Sequence, residues 1–473
     1  MKTDITVQNI ELFKVRARCR TPLSFGAVVI EEIPIGYARA TVENRAGQVA
    51  DGWGAMFLMD LWPWPVSEAS HETKQTVMRE LLDAYARLIA DRRDFGHPIE
   101  IFMESEDDLR KANREICREL TPGEEMPFLG ALVTASSVDH AIHDAFGNVN
   151  GIDSYHGYGP DHMSFDLSRY LGEDFAGVYP SQFLRQDYLP AIPIFHLVGG
   201  VDFLTKGEVK GDLPDDGVPN SLDEWIEHDG VFCLKVKLRG RDLEWDLART
   251  RAVRRVYRDV RNRTKRALPD RPVLSVDFNE QCQTADYVVE YLQRLREDEP
   301  LAFEDLLYVE QPVDRDLEKH DMRPVSSLKP VLVDESLASI EDLRLAMKMG
   351  WSGIALKSCK CLSSDLLLLC AAELAGIPYA VQDLTNPSIA LIESVGLAAR
   401  IHTIKGVETN SRQFFPRANE IVAPAHPDLF HVRDGCARTS SLTGAGLGMQ
   451  IEKVPGFLES LRAADAEFQE TLR

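Results

Sequence analysis

The sequence predicts an α/β protein built on a modified (β/α)8-type barrel, preceded by a smaller α+β unit. Three observations carry this reading. After Pro190, short apolar segments alternate with amphipathic stretches eight times: IPIFHLVGG, FCLKVKL, PVLSVDFN, LLYVEQPV, KPVLVDES, SGIALKS, PYAVQDL and KGVETNS. Ionisable residues close most of these segments, and Lys237, Asp277, Glu310, Asp334, Lys357, Asp383 and Glu408 follow one another at intervals of 40, 33, 24, 23, 26 and 25 residues. Finally, 473 residues exceed what a single core usually supports, so a barrel with a second unit is expected.

The leading unit reads as strands from Ile5 to about Leu58, with Asn44-Arg45-Ala46-Gly47 as a turn. Trp62-Pro63-Trp64-Pro65 interrupts that pattern. Val77, Met78, Leu81, Leu82, Tyr85, Leu88 and Ile89 then mark one apolar face at helical spacing, and a second helix is expected from about Ala131 to Phe146, closing at Gly147. His140 and His143 on it are read as surface or packing residues, and the acidic run Glu104 to Asp108 as solvated helix surface.

A formal charge of −22 argues against nucleic acid and anionic membranes as partners and favours a small molecule. No glycine-rich phosphate signature opens a helix. MKTDITVQNIELFKVRAR alternates polar and apolar residues without a signal-type apolar core, so a cytoplasmic location is expected. The eight scattered cysteines read as reduced thiols.

In a barrel, strand C-terminal ends converge on one rim. Asp277, Glu310 and Asp334 on three consecutive strands are hard oxygen donors suited to one Mg²⁺ ion. In VFCLKVKLRG, Lys235 and Lys237 share one face while Phe232, Leu234, Val236 and Leu238 share the other, so the lysines point inward. Two adjacent ammonium groups disfavour each other's protonation, which is expected to lower one pKa enough for a general base. Lys357, nearly opposite in the ring, supplies a second acid or base. It is preferred over Lys360 because strand alternation sends those two side chains to opposite faces.

LKVKLRGRDLEWDLARTRAVR with its K-x-K motif, SVDFN, YVEQPV, VLVDES, the lysine of GIALKS and TGAGLGMQIE together resemble the enolase superfamily, in its muconate-lactonizing-enzyme branch. The resemblance covers nearly the whole chain. It implies an N-terminal α+β capping domain at 1–188, enlarged near 59–127, a barrel at 189–435 and a segment at 436–473 that returns to the cap. It implies Mg²⁺ on Asp277, Glu310 and Asp334, an acid/base pair of Lys237 and Lys357, and Lys235 neutralising a substrate carboxylate. Asn279, Glu335, Asp383, Glu408 and Asn410 are expected at the substrate or behind the ligands. Phe25 and Trp53 are expected to reach the substrate from cap loops, Thr21 to Gly26 and Asp51 to Met56. The implied activity is removal of the α-proton of a carboxylate to give an enolate, with racemisation or epimerisation as the outcome and a homo-oligomer as the assembly. β-Elimination, cycloisomerisation and a catalytically inactive metal-binding barrel are the alternatives. YAVQDLTNPS offers Gln382 and Asp383 where a mandelate-racemase-type histidine would stand, which argues against a His/Asp dyad.

Overall fold

The computed structural model describes residues 1–25, 28–211 and 213–472, with backbone alone at 22–25 and 28–29. Phe25, expected at the substrate, thus lies outside the described side chains, as does Gly26 of the same segment. Strands β1 (Ile5–Phe25), β2 (Val28–Asn44) and β3 (Val49–Phe57) form an antiparallel sheet. The β2–β3 turn falls where the sequence places it: Gly47 N–H donates to the Asn44 carbonyl at 2.9 Å, while the Asn44 side chain accepts from Ala46 and Gln48.

Three helices follow: α1 (His71–Asp91), α2 (Pro98–Leu120) and α3 (Phe128–Asn150). Ser70 caps α1, and His97 with Glu100 closes a reciprocal capping pair on α2. α3 is buried along almost its whole length because it lies across β3 and also meets the barrel. Gly52 and Gly54 make that approach feasible: a Cβ on Gly54 would stand 2.2 Å from the Ser137 carbonyl oxygen, and one on Gly52 2.0 Å from Ala145 N. Gly54→Ala is therefore expected to cost about 2–3 kcal/mol, since backbone opposes it on the facing helix. Urea unfolding would check this, and a loss within 0.5 kcal/mol of zero would contradict it. α3 also runs past Gly147, ending where Gly151 adopts φ 65°. Gly147 is instead a crossing point, where a Cβ would lie 2.6 Å from Gly446 Cα.

The second sheet is a closed parallel barrel of β4 (Ala191–Val198), β5 (Cys233–Lys237), β6 (Val273–Asp277), β7 (Leu306–Glu310), β8 (Val331–Val333), β9 (Gly353–Lys357), β10 (Tyr379–Gln382) and β11 (Val407–Glu408). All eight anticipated strands are present in that order. β11 pairs with β4 through Val407 opposite Ile194, which closes the ring, and β12 (Cys436–Arg438) adds antiparallel to β4. Phe195, Cys233, Tyr308, Leu332 and Ala380 form an apolar plug inside the barrel. Period-two alternation then carries polar side chains above it: Lys235 and Lys237 on β5, Ser275 and Asp277 on β6, Glu310 on β7.

The longest apolar run of the sequence, Leu366 to Ala372, belongs to helix Leu362–Ala375. It is apolar all round because it packs on the barrel and also meets α2 and α3 of the cap. Polar ties cross this interface. Ser363 Oγ donates to Asp139 at 2.7 Å, and His143 joins Ser363 and Tyr158. His140 and His143 are thus buried packing residues and not surface ones. The final helix, Phe457–Thr471, lies on β1, where Asp465 accepts from Lys14 N at 2.9 Å. Among the described residues, no helix is long and apolar enough to cross a membrane.

Candidate active site

Register aligns the rim. Lys237 stands opposite Asp277, Asp277 opposite Glu310, and Lys357 opposite Gln382. Asp334 follows β8 directly, and its backbone N–H is held by Gln311 Oε1 at 2.9 Å. The loops leaving these strands are strained. Asn279, Glu280, Gln311, Cys361, Thr385 and Ser388, all just beyond strand C-terminal ends, adopt positive φ. Non-glycine residues take that region at a cost of roughly 1–3 kcal/mol, and such strain clusters where side chains must be aimed.

Lys235 is the hub. Its ammonium lies 2.7 Å from Glu310 Oε1, 2.6 Å from Glu408 Oε1 and 3.1 Å from Asp277 Oδ2, with Gln382 Oε1 at 3.3 Å. Lys237 donates to Asp277 Oδ2 at 2.5 Å and to Asn279 Oδ1 at 2.7 Å, and its side chain is 26% exposed. On the opposite side of the ring, Lys357 pairs with Asp334 Oδ2 at 2.5 Å and its side chain is 5% exposed. No fall in pKa is found at Lys235, the expected electrostatic partner, or at Lys357. Burial alone would favour the neutral amine of Lys235, but Glu310, Glu408 and Asp277 outweigh it and hold its pKa well above the ordinary value. Burial likewise opposes the charge on Lys357, and Asp334 with Glu335 overcomes it, raising that pKa too. Carboxylates dominate here, and ammonium repulsion is the smaller effect.

The carboxylates diverge. Burial opposes ionisation of all of them, yet Lys237 and Lys235 hold Asp277 low, and Lys357 and Lys360 hold Asp334 low. Burial and then Asp277 push Glu310 up, while burial and Asp334 raise Glu335 to about 7. Asp383, also raised to about 7 by burial and Glu408, is gripped by the backbone and side chain of Asn410. Asn410 also bonds Glu408 Oε2 at 3.1 Å, so Asp383, Glu408 and Asn410 form one buried cluster.

Six carboxylates, on Asp277, Glu310, Asp334, Glu335, Asp383 and Glu408, thus share the barrel mouth with four ammonium groups, on Lys235, Lys237, Lys357 and Lys360. That leaves two negative charges uncompensated if all ionise, and Glu335 Oε2 is buried without a hydrogen-bond partner. Hard oxygen donors with a deficit of two charges fit one divalent cation. Among the described residues, no three His, Cys, Asp or Glu side chains already converge as a ligand set. Lysine ammonium groups stand between the carboxylates instead.

Some expectations change. Lys357 and Lys360 do not part company: Lys360 Nζ reaches Asp334 Oδ1 at 3.1 Å, because Ser358–Lys360 is a 3-10 turn and strand alternation stops at Lys357. Asp51 to Met56 is the interior of β3 and not a loop. Trp53 packs on Phe457 and Phe13 inside the cap, with ring centroids 5.1 and 6.1 Å apart. Thr21 to Phe25, read as part of a loop, continues β1. The tryptophan that does reach the barrel mouth is Trp62. Its ring lies 4.2 Å from Lys357 Nζ and its Nε1–H donates to Glu335 Oε1 at 3.1 Å. Arg315, paired with Glu280, donates to the Trp62 and Pro63 carbonyls and fixes this segment on the barrel. The Trp-Pro-Trp-Pro run directly after the cap strands was the available signal. Gln382, which bonds Glu310 Oε2 and Lys235 together, was visible only as the absence of a histidine.

A family model described as enolase C-terminal domain-like matches residues 218–454. Among solved structures, an isomerase from Streptomyces coelicolor A3(2) is 17% identical with a TM-score of 0.61, covering 99% of each chain. A muconate lactonizing enzyme from Mucobacterium Smegmatis complexed with muconolactone is 16% identical with a TM-score of 0.59, covering 94% of this chain and 96% of its own. A dipeptide epimerase from Enterococcus faecalis V583, complexed with Mg and the dipeptide L-Leu-L-Tyr, is 18% identical with a TM-score of 0.54, covering 87% and 92%. No curated protein sequence matches. With its family model spanning half the chain, its closed parallel barrel and its N-terminal antiparallel sheet, the chain belongs to the enolase superfamily.

Proposed function

We propose that this enzyme removes the α-proton of a small carboxylate substrate and returns it to the opposite face, as a racemase or epimerase. The observation that carries the reading is the placement of Lys237 and Lys357 on β5 and β9, four strands apart in an eight-strand ring, with Asp277, Glu310 and Asp334 at the ends of the strands between. Asp277, Glu310 and Asp334 would hold Mg²⁺. A divalent cation there supplies positive charge against the charge that develops on the substrate carboxylate. Lys235, buried among Glu310, Glu408 and Asp277, adds fixed positive charge close to that position and costs no reorganisation during reaction. Lys237 takes the proton at Nζ, with Asn279 and Asp277 aiming the amine. Lys357 delivers a proton from the other side, its chain steered by Trp62 and Asp334. Burial of Lys235, Lys357 and the carboxylates around them limits the access of water to the reacting carbon.

A second reading draws on the roofing of Lys357 by Trp62. If Lys357 acts only as a cation, Lys237 works alone and the same proton loss leads to β-elimination or cycloisomerisation. Incubation with Mg²⁺ in D₂O against N-acyl amino acids, dipeptides, hydroxy acids and acid sugars, followed by NMR, separates these. Deuterium entry with inversion supports racemisation or epimerisation. Loss of water or ring formation supports the second reading, and absence of exchange with every substrate would overturn both.

A further inference from the structure

Asp334, like Asp277, is held by two lysines, but where both lysines of Asp277 share Oδ2, those of Asp334 take one oxygen each. Lys357 takes Oδ2 and Lys360 takes Oδ1. The two grips differ in kind. Among the described residues, Lys357 Nζ has Asp334 as its one ion-pair partner and otherwise faces the Trp62 ring. Lys360 is completely buried and spends its three ammonium hydrogens on Asp334 Oδ1 at 3.1 Å, the Asp334 backbone carbonyl at 2.7 Å and, more weakly, the Ala355 carbonyl at 3.5 Å. Two of those acceptors are backbone oxygens fixed by the barrel itself. Lys360 is therefore anchored independently of the carboxylate it restrains, whereas Lys357 can yield its oxygen to another cation.

From this we propose that Lys360 is a positioning residue that selects the divalent cation, by withholding Oδ1 of Asp334 and leaving Oδ2 alone available. The inference rests on the reading of Asp334 as a metal ligand. Ca²⁺ takes six to eight oxygens and readily uses both oxygens of one carboxylate, whereas Mg²⁺ is satisfied by six ligands, of which only one or two need be carboxylates. A site whose third carboxylate offers one oxygen disfavours the larger ion. It does so without any change in the ligand set.

Calorimetric titration of Mg²⁺ and of Ca²⁺ into the full chain tests this without turnover. The natural protein is expected to bind Mg²⁺ more tightly than Ca²⁺. In Lys360→Met that preference should shrink about tenfold, through a gain in Ca²⁺ affinity as Asp334 becomes free to offer both oxygens. Circular dichroism and melting confirm that the variant is folded, and Lys360→Gln, which keeps a shorter donor, replaces it if it is not. A preference unchanged in a folded variant would overturn the inference while leaving the function intact, and so would a natural protein that prefers Ca²⁺. Failure of the natural protein to bind either ion would overturn the metal reading, and the inference with it.

Discussion

Lys237→Ala is expected to slow α-proton exchange by about 10²–10⁴-fold, the usual contribution of a positioned general base, if Lys237 is the proposed base. The effect should be nearly pure chemistry. The Lys237 side chain is a quarter exposed, and its loss leaves Asp277 still paired with Lys235, so no buried charge is orphaned. Melting temperature is expected to change by little, while deuterium entry at the α-carbon falls on the face that Lys237 serves. Lys357→Ala provides the internal contrast. In a two-lysine reaction it removes exchange for one stereoisomer only, and in a one-lysine reaction it lowers exchange for every substrate without selecting a stereoisomer. Unchanged exchange in Lys237→Ala would remove it from the role of base.

The second large effect is on stability. Lys235→Met leaves Glu310, Glu408 and Asp277 facing one another in a buried space, and breaking a buried ion pair in this way costs about 3–5 kcal/mol. Urea unfolding without added metal measures it. Because the Lys235 pKa is raised in the fold, this contribution is complete below the free-lysine value of about 10.4 and is lost only as pH climbs through the folded pKa. Added Mg²⁺ should restore part of the loss by linkage, since an ion bound among those carboxylates favours the folded state. A variant as stable as the natural protein in the absence of metal would show that the three carboxylates protonate freely and that Lys235 carries no structural charge.

Much of this was legible because β-structure repeats every two residues and barrel rims repeat every strand. The parity of Lys235 and Lys237 and the spacing of Asp277, Glu310 and Asp334 needed nothing beyond those periods, and the eight strands fall where expected. The errors came where a period ended. Lys360 was sent to the wrong face because a 3-10 turn begins at Ser358. Trp53 was expected in a cap loop, whereas it lies within β3, and the glycines on either side of it admit α3. The charge balance at Lys235 was not legible locally, because only the neighbouring lysine is adjacent in sequence. Glu310 and Glu408, which decide the matter, come from 75 and 173 positions away.

The helix Phe457–Thr471 sets an order of events during synthesis. Phe13, Tyr37 and Trp53 precede the barrel in the chain, whereas Phe457, which packs on Tyr37 and Trp53, follows it. A domain made first usually completes itself first. Here the aromatic packing of the cap sheet is completed by a helix that follows the barrel in sequence, so the cap is expected to finish folding only after the barrel sequence has been made.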